Sequence, residues 1–335
     1  MEAEKKRKLT RSLKMKIILI ILLLISFSLG SIFGYRLRGR IKGLERLAHK
    51  TSAFDLRVCL CQPDKDNIKL ERDDGLIIIG SLYGLKGAQA RPGILLLHGN
   101  TPHGRKLALY RILAKKLADR GYLVLTIDQA GFGQSDDAFR LGTLGALDGD
   151  KDVRTALDYL KSLNNLDQDQ IFIIGHSGGV GPAISVGTES TSVKKIIAIG
   201  PPRRVTERFN DPHDRDYFWK RARLTRETIY KKPFPSWYTK DFWLTKVLDS
   251  DMKKYVAYFS QPSHKPLFLI DGELESKEDK IYLHNYYMII TQPKKYVTIP
   301  NSDHYCNTTA IHGLSIYSKT VVMETVNEID QWLRQ

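Results

Sequence analysis

Ser177 sits in Gly175-His176-Ser177-Gly178-Gly179, after the apolar run 171–174 and before the small residues Gly181, Ala183 and Ser185. A strand, a sharp turn carrying serine and then a helix make a nucleophile elbow. Glycines flank the serine because so tight a turn leaves no room for side chains beside it. The turn lifts the hydroxyl above the sheet, and the N–H groups that open the next helix point at the same place. Alone, Gly-x-Ser-x-Gly also fits a plain structural turn, so partners at other strand ends must decide. His304 follows the segment 295–299 in Pro300-Asn301-Ser302-Asp303-His304, and His312 is a reserve candidate deeper in the chain. The run 266–270 leads into a loop with four acids, Asp271, Glu273, Glu275 and Glu278. Serine, acid, histidine, each after a strand, is the chain order of an elbow enzyme. In such a set the carboxylate fixes the imidazole tautomer, the imidazole takes the hydroxyl proton, and the oxygen attacks an acyl carbon. By residue type, any of the four acids fits. His98-Gly99-Asn100 ends the run 93–97. Its loop would supply one oxyanion N–H from Asn100, and Gly178 the other, both from backbone.

Alternating strands and helices must position these residues. Segments 68–70 and 76–79 flank Asp73-Asp74-Gly75, a hairpin signal. Short continuous apolar runs at 93–97, 122–127, 171–174, 195–199, 266–270 and 295–299 suit strands covered on both faces of a parallel sheet. Helical spacing appears over 106–120, 152–163 and 319–333. The pattern predicts a doubly wound α/β sheet with an antiparallel hairpin at one edge, and in such sheets function lies beyond the carboxyl ends of the strands. Asp128-Gln129-Ala130-Gly131-Phe132-Gly133-Gln134-Ser135 ends the run 122–127. It lacks the Lys-Ser/Thr of a phosphate loop and reads as a structural turn.

The chain has 335 residues, enough for one large domain with a substantial core. Its formal net charge of +15 is concentrated in residues 1–46 and 203–262, leaving the rest near neutral. With no zinc-finger spacing or RNA-binding signature, nucleic acid is excluded as a partner. Of three cysteines, Cys59 and Cys61 are too close for an ordinary bridge and lack a second ligand pair for zinc, so they are expected as thiols. Residues 17–35 are uncharged, about 28 Å as a helix, with Lys14 and Lys16 before and Arg36, Arg38 and Arg40 after. They are expected to form an uncleaved single-pass anchor; the alternative is a signal peptide cut near Ser28-Leu29-Gly30-Ser31. Seven basic residues before the span and five after it put the large domain on the non-cytoplasmic side by a small margin. The expected organisation is a basic tail at 1–16, a transmembrane helix at 17–35, a connector at 36–66 and a domain at 67–335.

Over residues 67–335 the chain resembles the α/β-hydrolase superfamily, more loosely its serine aminopeptidase-like and short-chain esterase members. The resemblance rests on His98-Gly99-Asn100, Asp128-x-x-Gly131-x-Gly133-x-Ser135, Gly175-His176-Ser177-Gly178-Gly179, Gly272-x-x-Glu275 and Asp303-His304. It implies an α/β-hydrolase fold with a cap inserted at about 203–262. It also implies Ser177 as nucleophile, His304 as base and, three residues after Gly272, Glu275 as acid, where Asp is commoner. Asp271 and Glu273 are fallback acids. The implied function is a membrane-anchored serine hydrolase of a small acyl substrate (ester, thioester or amide), with no metal or organic cofactor. Dehalogenase chemistry would need Asp at 177. The alternatives are an acyltransferase using the same triad and a non-catalytic binding protein of this fold. The cap segment holds thirteen aromatics, Trp219, Trp237 and Trp243 among them. These are expected to pack on the body; they also suit an acyl pocket, or a lipid surface near the anchor. Nothing in the sequence sets an oligomeric state.

Overall fold

The continuous apolar runs become the interior of an eight-stranded sheet. The computed structural model describes residues 43–335 except 46, 88, 143–147, 202–210, 231–232, 237, 243, 245–264, 292 and 312. In chain order the strands are β1 (Leu56–Cys59), β2 (Lys65–Glu71), β3 (Ile77–Tyr83), β4 (Arg91–Leu97), β5 (Leu123–Asp128), β6 (Leu166–His176), β7 (Val193–Ile199), β8 (Leu267–Gly272), β9 (Lys294–Ile299), β10 (Thr308–Ile311) and β11 (Leu314–Ser318). The helices are α1 (Ala108–Ala118), α2 (Gly149–Lys161), α3 (Val180–Glu189), α4 (Pro212–Tyr230), α5 (Lys277–Ile289) and α6 (Lys319–Arg334).

The main sheet has the order β2-β3-β5-β4-β6-β7-β8-β9. β2, β3 and β5 pair antiparallel, and every other pairing is parallel. This is the α/β-hydrolase fold, with the antiparallel hairpin at one edge. Strand alternation divides the core in two. Leu95, Leu97, Ile171, Ile173, Leu267 and Leu269 face one side with α2, α3 and α5. Ile94, Leu96, Phe172, Ile174, Phe268 and Ile270 face the other, with α1 and α6. Both faces are thus covered by helices, so the interior strands carry no polar alternation.

A second sheet of order β1-β11-β10 is built from the ends of the described chain. Its first strand comes from the stretch expected to be a connector, and Leu56 pairs with Ser318 across it. Asp55 carries the join further, accepting from the Thr320 N–H at 2.9 Å.

Two expectations are corrected. Cys59 and Cys61 are joined as a disulfide, not two thiols. The two Cα atoms lie 5.2 Å apart, within bridging range, and Cys61 takes a left-handed backbone (φ 45°). The expected single-pass membrane placement is also overturned: among the described residues no helix is long and apolar enough to cross a membrane. The run 17–35 lies outside the described residues.

Candidate active site

The β6–α3 junction makes the elbow. Ser177 has φ 50°, a left-handed conformation that a serine adopts only where its surroundings enforce it. The enforcement is steric: a methyl group on Gly175 would lie 2.5 Å from the Gly179 carbonyl and 2.7 Å from Val180 Cα. The serine therefore stands at the carboxyl end of a central strand, on the first turn leading into α3.

The loop after β4 lies against it. A methyl on Gly99 would be 3.2 Å from Ser177 Oγ, and one on Gly178 2.8 Å from Asn100 Oδ1. The Gly99 backbone thus packs against the serine, and the Asn100 side chain against Gly178. The Asn100 N–H makes no hydrogen bond among the described residues, which leaves it available to a developing oxyanion. His98 ties this loop down, its Nδ1 to the Gly99 carbonyl (2.7 Å) and its Nε2 accepting from the Gln129 N–H (2.9 Å). Burial lowers the pKa of the His98 imidazole, which matches one nitrogen donating and the other accepting.

His304 and Glu275 meet from two neighbouring loops, with Nδ1 to Oε1 at 3.3 Å. Glu275 follows a tight turn after β8, its N–H bonded to the Gly272 carbonyl at 3.0 Å. Ser276 then caps α5 by accepting from the Asp279 N–H. The His304 loop is lashed by its own side chains: Asp303 Oδ1 accepts from the Tyr305 and Asn307 N–H groups (3.0 and 2.9 Å). Gly200, at the end of β7, lies beneath the pair. A methyl there would be 3.0 Å from His304 Nδ1 and 3.2 Å from Glu275 Oε1.

The other candidates are engaged elsewhere. Asp271 is buried and accepts from the Tyr296 hydroxyl at 2.8 Å, and burial pushes its carboxyl up. Glu273 is exposed and accepts from the Asn301 N–H at 2.7 Å. His312 lies outside the described residues. Among the described residues no hydrogen bond joins Ser177 Oγ to His304.

Two neighbours carried no role in the sequence pattern. The Tyr110 hydroxyl accepts from the Gly99 N–H (2.7 Å) and lies 2.8 Å from His176 Nδ1. His176 Nε2 lies 2.8 Å from the His304 carbonyl oxygen. The only sequence signal was polarity out of place: a tyrosine on the buried face of α1 and a histidine closing an apolar strand.

The likeness to known proteins agrees with this architecture. Residues 88–265, more than half of the chain, match the family described as serine aminopeptidase, S33. The chain belongs to that family. No curated protein sequence matches it. Solved structures share its fold at low identity. DcsB, solved with a substrate analogue, has TM-score 0.57 at 14% identity, covering 83% of this chain and 99% of its own. An esterase of Pyrococcus furiosus has 0.54 at 17%, covering 82% and 91%. Est1E of Butyrivibrio proteoclasticus, solved with ferulic acid, has 0.53 at 17%, covering 79% and 97%.

As a member of this family the chain keeps its glycine-rich loop after β5 for structure. Asp128 is fully buried and accepts from the Arg105 N–H (2.6 Å), the Gln134 N–H (2.8 Å) and the Arg105 guanidinium. Arg105, also buried, donates further to Ser81, Asn67 and Gln134 at 2.7, 2.9 and 3.0 Å. Beyond this loop, α4 is pinned by Arg226, whose guanidinium grips Asp137 through two bonds (2.7 and 2.6 Å) and lies over Phe139. Trp219 stacks on Phe234, and Phe234 and Tyr238 meet Phe139 edge-on. These aromatics pack on the body of the domain. Trp237 and Trp243 lie outside the described residues.

Proposed function

We propose that the protein is a serine hydrolase that cleaves an ester, thioester or amide of a small acyl substrate through Ser177, His304 and Glu275. The observation that carries this is the His304–Glu275 pair at 3.3 Å, held on loops that meet a strained serine elbow. Glu275 accepts from Nδ1–H and so leaves the Nε2 lone pair facing outward as the base. His304 takes the Ser177 proton as Oγ adds to the carbonyl carbon. The Asn100 and Gly178 N–H groups hold the oxygen that becomes negative. The imidazolium then protonates the leaving group, and a water deprotonated by His304 releases the acid and restores the serine. Side-chain rotation brings Oγ and Nε2 together, since such bonds commonly tighten only with substrate in place.

A fluorophosphonate probe tests this. The wild-type chain is expected to be labelled, and Ser177→Ala to remain unlabelled while still folded. Folded wild-type protein without Ser177-dependent labelling would refute the proposal.

A further inference from the structure

We infer that Tyr110 and His176 are positioning residues, a buried hydroxyl–imidazole relay that sets the base loop and the oxyanion loop in register with the elbow. The inference rests on the proposed hydrolase mechanism for its consequence, and on geometry for its existence.

The need for such a device follows from the sheet. β4 and β6 are neighbours, so ladder bonds fix the Gly99 loop against Ser177; Leu97 lies opposite Gly175. β9 is not a neighbour of β6: β7 and β8 intervene. No ladder bond therefore sets how far the His304 loop stands from the elbow. The His176 Nε2 bond to the His304 carbonyl, at 2.8 Å, spans that gap directly.

The proton positions in the relay have one solution. The Gly99 N–H can only donate, so the Tyr110 oxygen accepts from it. The His304 carbonyl can only accept, so His176 carries its proton on Nε2 and donates. Nδ1 of a neutral imidazole is then bare and accepts from the Tyr110 O–H. Burial, with the nearby His304, takes the His176 imidazole down to about 3, so it stays neutral across the working pH range. Tyr110 and His176 are both fully buried, and every polar atom of the two side chains has a partner. The rings also meet in sequence, Tyr110 edge-on to His176 at 5.6 Å and His176 tilted against His304 at 4.8 Å between centroids. One pair of side chains thus touches three loops, from β4, β6 and β9. Neither needs to contact substrate.

Hydrolysis of p-nitrophenyl butyrate by the full chain, beside hydrogen–deuterium exchange of residues 300–307, tests the relay. His176→Leu removes both bonds at nearly constant volume; His176→Gln keeps a donor and an acceptor; Tyr110→Phe removes one oxygen. A loss of alignment near 1 Å costs about 100-fold in rate. His176→Leu is therefore expected to lower kcat about 100-fold with KM changed less than about twofold, and Tyr110→Phe about 10-fold. His176→Gln is expected to recover most of the loss. Exchange at 300–307 is expected to rise in the Leu and Phe variants and return in the Gln variant. Unchanged exchange and kcat in the Leu and Phe variants would overturn the inference, as would equal losses for Leu and Gln. Should the His176 variants fail to fold, Tyr110→Phe alone decides. If wild-type protein shows no Ser177-dependent activity, the hydrolase proposal falls, and the exchange data still decide whether the relay holds the loop.

Discussion

Replacing Glu275 with Gln removes one negative charge beside His304 and leaves the side chain's length unchanged. Its cost follows from the geometry. Oε1 lies 3.3 Å from Nδ1, which puts the charge centres of carboxylate and imidazolium about 4 Å apart. At the effective dielectric typical of such partly buried pairs, opposite charges at that separation attract by about 4 kcal/mol. That attraction exists only once His304 has taken the proton, so its loss falls on the transition state and appears in kcat. The His304 side chain is 34% exposed and Glu275 only 10%, so water screens part of the field. A loss of about 100- to 1000-fold in kcat is expected, with little change in KM. Glu275→Asp retracts the carboxylate by one carbon–carbon bond and is expected to cost about 10-fold. Asp271→Asn and Glu273→Gln serve as controls, because their carboxylates are committed to Tyr296 and the Asn301 N–H. Each is expected within about threefold of wild type. Initial rates on p-nitrophenyl butyrate, normalised by fluorophosphonate titration of competent sites, give the numbers. A larger loss for Asp271→Asn than for Glu275→Gln would refute the assignment of the acid.

Arg105→Met should lower unfolding free energy by about 3–5 kcal/mol in urea titration, because it strands the fully buried Asp128 carboxylate; Lys115→Ala, which loses only an exposed pair with Asp119, should cost under about 1 kcal/mol. Stability should also fall on acidification below the ordinary histidine range. His176 and His98 are buried with depressed pKa, so the unfolded chain binds protons that the folded one refuses. Their contribution is whole above pH ~6.5 and shrinks as pH drops toward the folded value, by up to about 1.4 kcal/mol per pH unit for each. Urea midpoints measured from pH 7.5 to 4.5 should show this slope, reduced by as much as one proton in His176→Leu; an identical slope in that variant would refute the buried neutral assignment.

What the sequence disclosed and what it concealed divide along the range of the interactions involved. β4 and β6 were legible because burial on both faces leaves a continuous apolar run, and the elbow because its crowding demands glycine within two residues of the serine. Each of these constraints is local. The candidate acid was not local: four carboxylates lie within eight residues, and only likeness to a known family singled out Glu275. In the folded chain three of them are told apart by partners supplied from the following strand and its loop, Tyr296 for Asp271, Asn301 for Glu273 and His304 for Glu275, while Glu278 lies in the first turn of α5. β1, β10 and β11 escaped notice for a related reason. They are only four or five residues long, β1 and β10 half-exposed and β11 mostly buried, so none shows a period of its own, and β1 is defined by a partner at the far end of the chain. The Cys59–Cys61 bridge goes with a left-handed backbone at a cysteine, which no spacing rule anticipates. His176 is the sharpest case. Within its motif it occupies an unconstrained position, and its hydrogen-bonding partners are Tyr110 and the carbonyl of His304, both remote in sequence. A histidine that a pattern treats as filler can therefore join two loops of the candidate site, because motif spacing records only what the chain demands of its neighbours. Buried polar atoms impose the complementary demand: the great majority find a partner somewhere. Following those partners from atom to atom is what assigns His176 a place in the site.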